Sequence, residues 1–190
     1  MNQSSDESRT AVFHLFGTIG GDEAGRGFDL ASIVTQVSSV LSGDETERKA
    51  QKLIFLISSR GGSSEESLRI YAYLANLPVE VVTVGVGLVE SAAVTVYLAG
   101  RQRLATPTTS LIHEGRTSFK GVAISKLVKM AHSCLAYERT TAEIIAKATG
   151  DKRKARRWLR SEHLLSSQEA KSAGIVHEIS EELFVGSVLL

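Results

Sequence analysis

Lys52-Leu53-Ile54-Phe55-Leu56-Ile57-Ser58-Ser59-Arg60-Gly61-Gly62-Ser63-Ser64-Glu65-Glu66 is the stretch from which the rest of the chain can be read. Residues 52–58 form a continuous apolar run closed by polar residues, the pattern of a strand covered on both faces. Two consecutive glycines then let backbone N–H groups approach a ligand closely and point at an anionic oxygen. Ser63 and Glu66 stand at capping-box spacing and open a helix to about residue 75. Pro78 limits that helix, since the residue before a proline is pushed out of the helical region. Strand, glycine turn and helix in this order make the first half of a βαβ unit.

Working outward, residues 79–86 repeat the buried-strand pattern and lead into a helix of small residues over 92–98. Upstream, residues 11–19 mix β-branched and aromatic side chains and read as a strand closed by Gly20-Gly21. Within 28–41, Leu30, Ile33, Val34, Val37 and Leu41 recur at helical spacing. Downstream, short strands are expected near Leu104 and over 111–113. A long amphipathic helix follows over about 122–149, carrying Leu127, Ala131, Leu135, Ile144 and Ile145. A basic helix over 151–160, a helix capped by Ser166 with Glu169, and a last strand over 175–179 complete an α/β domain on a largely parallel sheet. Residues 1–10 read as a mobile tail and 11–190 as one domain, with no internal repeat and no linker.

The 190 residues suffice for one domain with a substantial core. Apolar residues are 43% and charged residues 23%, a balance expected of a soluble globular protein. A net charge of +1 offers no global field for nucleic acid or an anionic membrane. The N-terminus carries Asp6, Glu7 and Arg9 without an apolar run, so no secretory signal is read there. No stretch approaches the roughly 18 apolar residues of a membrane span, and a cytoplasmic location is the expectation. Cys134 has no partner for an intramolecular disulfide and is expected as a small core residue. His14, His132, His163 and His177 show no metal-ligand spacing, so no metal site and no cofactor are expected. The run 152–160 is basic with one aromatic, Trp158; it reads as a solvated helix face with the indole packed inward rather than as a nucleic-acid patch.

In open α/β sheets, sites form beyond the carboxyl ends of the strands, and three such ends stand out. The first is the Gly61-Gly62 turn. The second is Gly85-Val86-Gly87-Leu88-Val89-Glu90-Ser91-Ala92-Ala93, which puts a serine at a helix start where free amides favour negative charge. The third is His113. Taken singly, these read as a turn, an N-cap and a surface histidine. Together in one sheet they supply what acyl transfer needs: a nucleophile, a base beside it and amide donors for the tetrahedral oxyanion.

These residues resemble the ClpP peptidase family, within the wider ClpP/crotonase fold. Ser59-Arg60-Gly61-Gly62-Ser63 stands where that family has S-P-G-G-S. Gly87 to Ala93 matches its nucleophile turn, ending at Leu98-Ala99-Gly100. Ser110-Leu111-Ile112-His113-Glu114 matches the strand that carries its base. Leu164-Leu165-Ser166-Ser167-Gln168-Glu169-Ala170, continuing to Gly174-Ile175-Val176-His177, matches its late signature. The resemblance runs from about residue 13 to 179.

The resemblance implies the ClpP/crotonase-like superhelix of repeated β-β-α and βαβ units, with 121–149 as a protruding handle helix. It also implies a serine endopeptidase subunit that cleaves unfolded polypeptides. Ser91 would be the nucleophile, His113 its base and Glu162 the third triad member, with the N–H groups of Gly62 and Ala92 as the oxyanion hole. Heptameric rings, stacked into a tetradecamer and fed by an AAA+ unfoldase, are implied as well.

Several positions depart from the pattern. Glu162 replaces an aspartate with a longer acid, Arg60 replaces a proline, and Glu90 stands where a small residue is usual. Asp151 is a less favoured substitute acid, because it resembles an N-cap. The alternatives to a peptidase are a non-catalytic ring subunit, a crotonase-type acyl-CoA enzyme and a purely structural interaction module.

Overall fold

The computed structural model describes residues 10–22, 24–42, 49–111, 121–161, 164–181, 184–185 and 188–189. The tail at 1–9 lies outside the described residues, and Thr10 already belongs to the first strand.

The quoted stretch forms β4 (Lys52–Ser59) and α2 (Ser64–Ala75). β4 pairs in parallel with β1 (Thr10–Phe16) on one side and β5 (Glu80–Val89) on the other. Beyond β5 follow β6 (Gln102–Ala105) and β9 (Glu178–Ile179), both parallel. The tip of β5 also pairs with β7 (Ser110–Leu111), to which β8 (Leu165–Ser166) is antiparallel. Short pairs β2 (Thr18–Ile19) with β3 (Gly27–Phe28), and β10 (Phe184–Val185) with β11 (Val188–Leu189), lie off this sheet.

Side chains of β4 alternate between two faces, as the two-residue period of a strand requires. Leu53, Phe55 and Ile57 enter the main core with Ile33 and Val37 of α1 (Leu30–Leu41) and with Ile70 and Leu74 of α2. Phe55 stacks on Phe13 of β1 at 5.0 Å. Ile54 and Leu56 turn to the other face and meet Val82 and Val84 of β5. That second cluster consists of strand residues alone, so the expected cover on both faces is of two kinds.

α1 is closed at its start by a capping box: the Ser32 N–H donates to the Asp29 carboxylate at 2.8 Å, and the Asp29 N–H to Ser32 Oγ at 3.2 Å. α2 uses only half of the expected box. Ser63 Oγ accepts the Glu66 N–H at 3.2 Å, but the Glu66 carboxylate accepts the Leu30 N–H at 2.7 Å instead. Glu66 therefore ties the start of α2 to the start of α1. Next comes the buried helix α3 (Ala92–Tyr97) and the long α4 (Ile124–Thr149). Only the far half of α4 packs on the body, through Ala142 and Ile145; Ile124 is 85% exposed, Val128 60% and Leu135 43%.

α5 (Lys152–Trp158) starts at Asp151, whose carboxylate accepts the Lys154 N–H at 2.9 Å. Its Ala155 and Trp158 are buried while Arg153, Arg156 and Arg157 face solvent, as the amphipathic reading of the basic run requires. α6 (Ser167–Ser172) carries the complete Ser166/Glu169 capping box. Two expected strands come out differently. The first is broken at Gly17 into β1 and β2. The last shrinks to Glu178–Ile179, because the Ile175 and Val176 N–H groups both donate to the Ala170 carbonyl and so finish α6 instead of pairing with a strand. No helix among the described residues is long and apolar enough to cross a membrane.

Candidate active site

The site is built where β4 and β5 end side by side. Ser59, the last residue of β4, accepts the Glu90 N–H on its carbonyl at 3.0 Å, which carries the pairing with β5 as far as the residue before Ser91. The strand therefore runs three residues beyond the 79–86 expected from the sequence, and the chain must turn into α3 within a single residue.

That residue is Ser91. Its backbone lies at φ 53° and ψ −128°, and it is the only non-glycine residue of positive φ among the described residues. Such a conformation costs on the order of 1–3 kcal/mol and persists only where its surroundings over-determine it. The Ala93 N–H donates to the Glu90 carbonyl at 3.0 Å and the Val94 N–H to the Ser91 carbonyl at 3.1 Å, fixing the first turn of α3. Gly61, two residues past the end of β4, presses on the turn: a Cβ there would sit 2.7 Å from Ser91 Cβ and 3.0 Å from the Ala92 nitrogen. Ser91 does not serve as a capping side chain, and its hydroxyl has no hydrogen-bond partner among the described residues.

Gly61 and Gly62 form a short extended segment held by β2. The Ile19 N–H donates to the Gly61 carbonyl at 2.9 Å and the Ser63 N–H to the Ile19 carbonyl at 3.0 Å. With Gly62 between those two bonds, at φ 143°, a side chain there would collide with the Ile19 carbonyl. Neither the Gly62 N–H nor the Ala92 N–H has an acceptor among the described residues. Gly62, Ala92 and Ser91 all line one cavity of about 400 Å³. Its remaining walls come from the start of α2 (Ser63, Ser64, Glu65, Ser67), from one face of α4 (Cys134, Leu135, Tyr137, Glu138, Thr141) and from Leu159.

His113 and Glu162 lie outside the described residues, so the expected base and acid are not located here. β7, which leads to His113, pairs with the tip of β5 next to the Ser91 turn, through Leu88 with Ser110 and Val89 with Leu111. Glu90 turns away from the cavity: its carboxylate accepts a hydrogen bond from Ser110 Oγ at 3.3 Å. Arg60 is exposed and is not part of the cavity wall.

Cys134 is a correction. It is half-buried and lines the cavity instead of the core, because α4 packs into the body only beyond that residue, at Ala142 and Ile145. Glu65 and Tyr137, for which no role is read in the sequence, also meet at the cavity, the phenol donating to the carboxylate at 3.4 Å. Loss of water, and then the adjoining Glu65 carboxylate, holds the Tyr137 pKa above its usual value, so the phenol keeps the proton it donates. Glu138 forms an ion pair with Arg160 at 2.8 Å. The only available signal for these residues was their nearness to Gly62 and their place on one face of the long helix. Among the described residues, no three His, Cys, Asp or Glu side chains gather to hold a metal ion.

Known proteins are similar to this chain in sequence and in fold. The family model described as Clp protease matches residues 30–183. An ATP-dependent Clp protease proteolytic subunit of Oltmannsiellopsis viridis is 28% identical over 152 residues, covering 78% of this chain and 77% of the relative. The ATP-dependent Clp protease proteolytic subunit 2 of Borreliella burgdorferi is 33% identical over 136 residues, covering 69% of this chain and 68% of its own. Among solved structures, a single-site mutant of ClpP1 from Listeria monocytogenes superposes with a TM-score of 0.73 at 26% identity, covering 93% of both chains. Unmutated ClpP1 of that organism, at 24% identity and a TM-score of 0.68 over 92% of both chains, has the same fold. With its parallel sheet, its projecting α4 and a family match over most of its length, the chain belongs to the Clp protease family and has the ClpP/crotonase-like fold.

Proposed function

We propose that the chain is a serine endopeptidase subunit of a self-compartmentalised Clp-type protease that hydrolyses unfolded polypeptides. The observation that carries this reading is the Ser91 turn: a strained serine on a cavity wall beside two N–H groups without acceptors. A serine on a sharp strand-to-helix turn presents its hydroxyl clear of its own backbone, a device used by other hydrolases.

In the proposed mechanism Ser91 Oγ attacks the peptide carbonyl while His113 removes its proton. The Gly62 and Ala92 amides stabilise the oxyanion; a donor of that kind is worth about 10²–10³ in rate. His113 then returns the proton to the leaving amine as the C–N bond breaks, and next deprotonates a water that cleaves the Ser91 ester and returns the hydroxyl, while Glu162 orients the imidazole and stabilises its charged form. Glutamate fills this role in other triads. Glu90, turned toward Ser110, puts no charge into the cavity that would oppose the oxyanion.

The proposal extends to assembly. Ile124, Leu127 and Val128 are exposed along the free half of α4, an apolar face of the kind that marks an interaction surface. A second copy of the same chain covers it, in heptameric rings that stack through α4, work in the cytoplasm and receive substrate from an AAA+ unfoldase. The test is hydrolysis of an unfolded polypeptide by the assembled chain. Cleavage abolished by both Ser91→Ala and His113→Ala supports the reading; cleavage that survives Ser91→Ala, or none by the wild-type assembly, overturns it.

A further inference from the structure

The cavity beside Ser91 is unequal in its charges. Among the described residues no lysine, arginine or histidine lines it, while two carboxylates do, Glu65 and Glu138. Glu138 is neutralised by Arg160 at 2.8 Å. The neighbouring Glu66 is likewise satisfied, by Arg69 at 2.9 Å and by the Leu30 N–H at 2.7 Å, and does not line the cavity. Among the described residues Glu65 has no cation. Its described partner is the neutral Tyr137 phenol, at a long 3.4 Å.

Glu65 follows Gly62 by three residues, so its Cα lies within about 11 Å of the amide at Gly62, by chain reach alone. The same cavity is lined by the apolar Ala92, Leu135 and Leu159 and by the hydroxyl-bearing Ser63, Ser64 and Thr141. Such a slot takes an apolar stem that ends in a cation. Lysine has that construction, a compact ammonium on a flexible four-carbon stem.

Resting on the peptidase reading of Ser91, we propose that this cavity receives the substrate side chain next to the scissile carbonyl and that Glu65 selects a lysine there. The stem packs on Ala92, Leu135 and Leu159, and the ammonium replaces or joins the Tyr137 phenol as the donor to Glu65. Tyr137 is a positioning residue: it keeps the carboxylate turned across the cavity when no substrate is present.

Binding separates this proposal from catalysis. The full-length assembled chain carrying Ser91→Ala is titrated calorimetrically with two peptides that differ only in lysine or norleucine at the residue before the scissile bond. Norleucine keeps the apolar stem and lacks the charge. The lysine peptide is expected to bind about tenfold more tightly, in keeping with a hydrogen bond to a charged group. Glu65→Gln in the same background brings the two peptides within about twofold. Tyr137→Phe removes the tie without removing the charge and keeps the lysine preference. Equal or tighter binding of norleucine, no binding of either peptide, or a Tyr137→Phe variant that behaves like Glu65→Gln each overturns the proposal. Lysine-selective binding by a chain whose wild-type form cleaves nothing sinks the peptidase reading alone and leaves the pocket preference standing.

Discussion

Replacing Gly61 by alanine tests how the Ser91 turn is held. The new Cβ would stand 2.7 Å from Ser91 Cβ, 3.0 Å from the Ala92 nitrogen and 3.1 Å from the Glu90 carbonyl oxygen. Carbon atoms in good contact are about 3.5–4.0 Å apart, so Ser91 or the glycine segment must yield by roughly 1 Å. The glycine segment is fixed by the Ile19 bonds and Ser91 by the first turn of α3, so neither yields freely. Alanine at φ 98° adds backbone strain to the overlap. Strain of about 1–2 kcal/mol and overpacking of about 1–3 kcal/mol make an expected loss of roughly 2–5 kcal/mol. A shift of about 1 Å at a reacting atom costs on the order of 10²-fold in rate. Denaturant unfolding gives the first quantity, and the rate of fluorophosphonate labelling of the folded variant gives the second. Gly150→Ala is the control: it also has positive φ, 72°, but nothing lies within 4 Å of its added Cβ. It should lose about 1–2 kcal/mol from its left-handed backbone alone and label at the wild-type rate. A Gly61→Ala chain as stable and as reactive as the wild type would refute the reasoning.

Glu162→Gln should lower kcat for peptide hydrolysis by about 10⁴ while leaving the protein folded, since a neutral partner holds the wrong imidazole tautomer; a change of less than tenfold would remove Glu162 from the mechanism. Ile124→Lys with Val128→Lys should dissociate the assembly, because both side chains are exposed apolar groups on the free half of α4; light scattering that still reports the full assembly would contradict the role given to that face. His177 gives a pH dependence. Arg103 Nη2 lies 2.6 Å from its Nε2, and the Arg103 N–H donates to its Nδ1 at 3.3 Å. Burial first and the guanidinium second push its pKa below the usual 6.5. The folded state thus resists a proton that the unfolded chain accepts, so this contribution is complete above pH 6.5 and is lost as pH falls from there toward the lowered folded value. His177→Gln should flatten thermal unfolding midpoints over that interval; profiles that run parallel for the two proteins would show that the group is not responsible.

Features written in consecutive residues were legible in the sequence. The apolar run of β4 announced a buried strand, Ser166 with Glu169 announced a capping box that forms completely, and the spacing around Trp158 placed the indole inside. Features that depend on a partner far along the chain were not. Glu66 had the right spacing to cap its own helix, but the Leu30 N–H, 36 residues earlier, lies closer to hand in the fold. Cys134 has the same helical period as core residues, and nothing local says where α4 leaves the body. Serine carries no mark of a left-handed backbone either. The Ser91 turn is imposed by the Ser59–Glu90 bond at the end of β4 and by Gly61 in the glycine segment that follows it. The same tertiary closeness brings Glu65 opposite Tyr137, two residues 72 positions apart.

The central claim, that Ser91 is an activated nucleophile, is tested most directly by treating the assembled protein with a fluorophosphonate and mapping the adduct by mass spectrometry. The account predicts one adduct, on Ser91, that disappears on prior unfolding and in the His113→Ala variant. A protein that stays unlabelled, or carries its adduct on another residue, would contradict it.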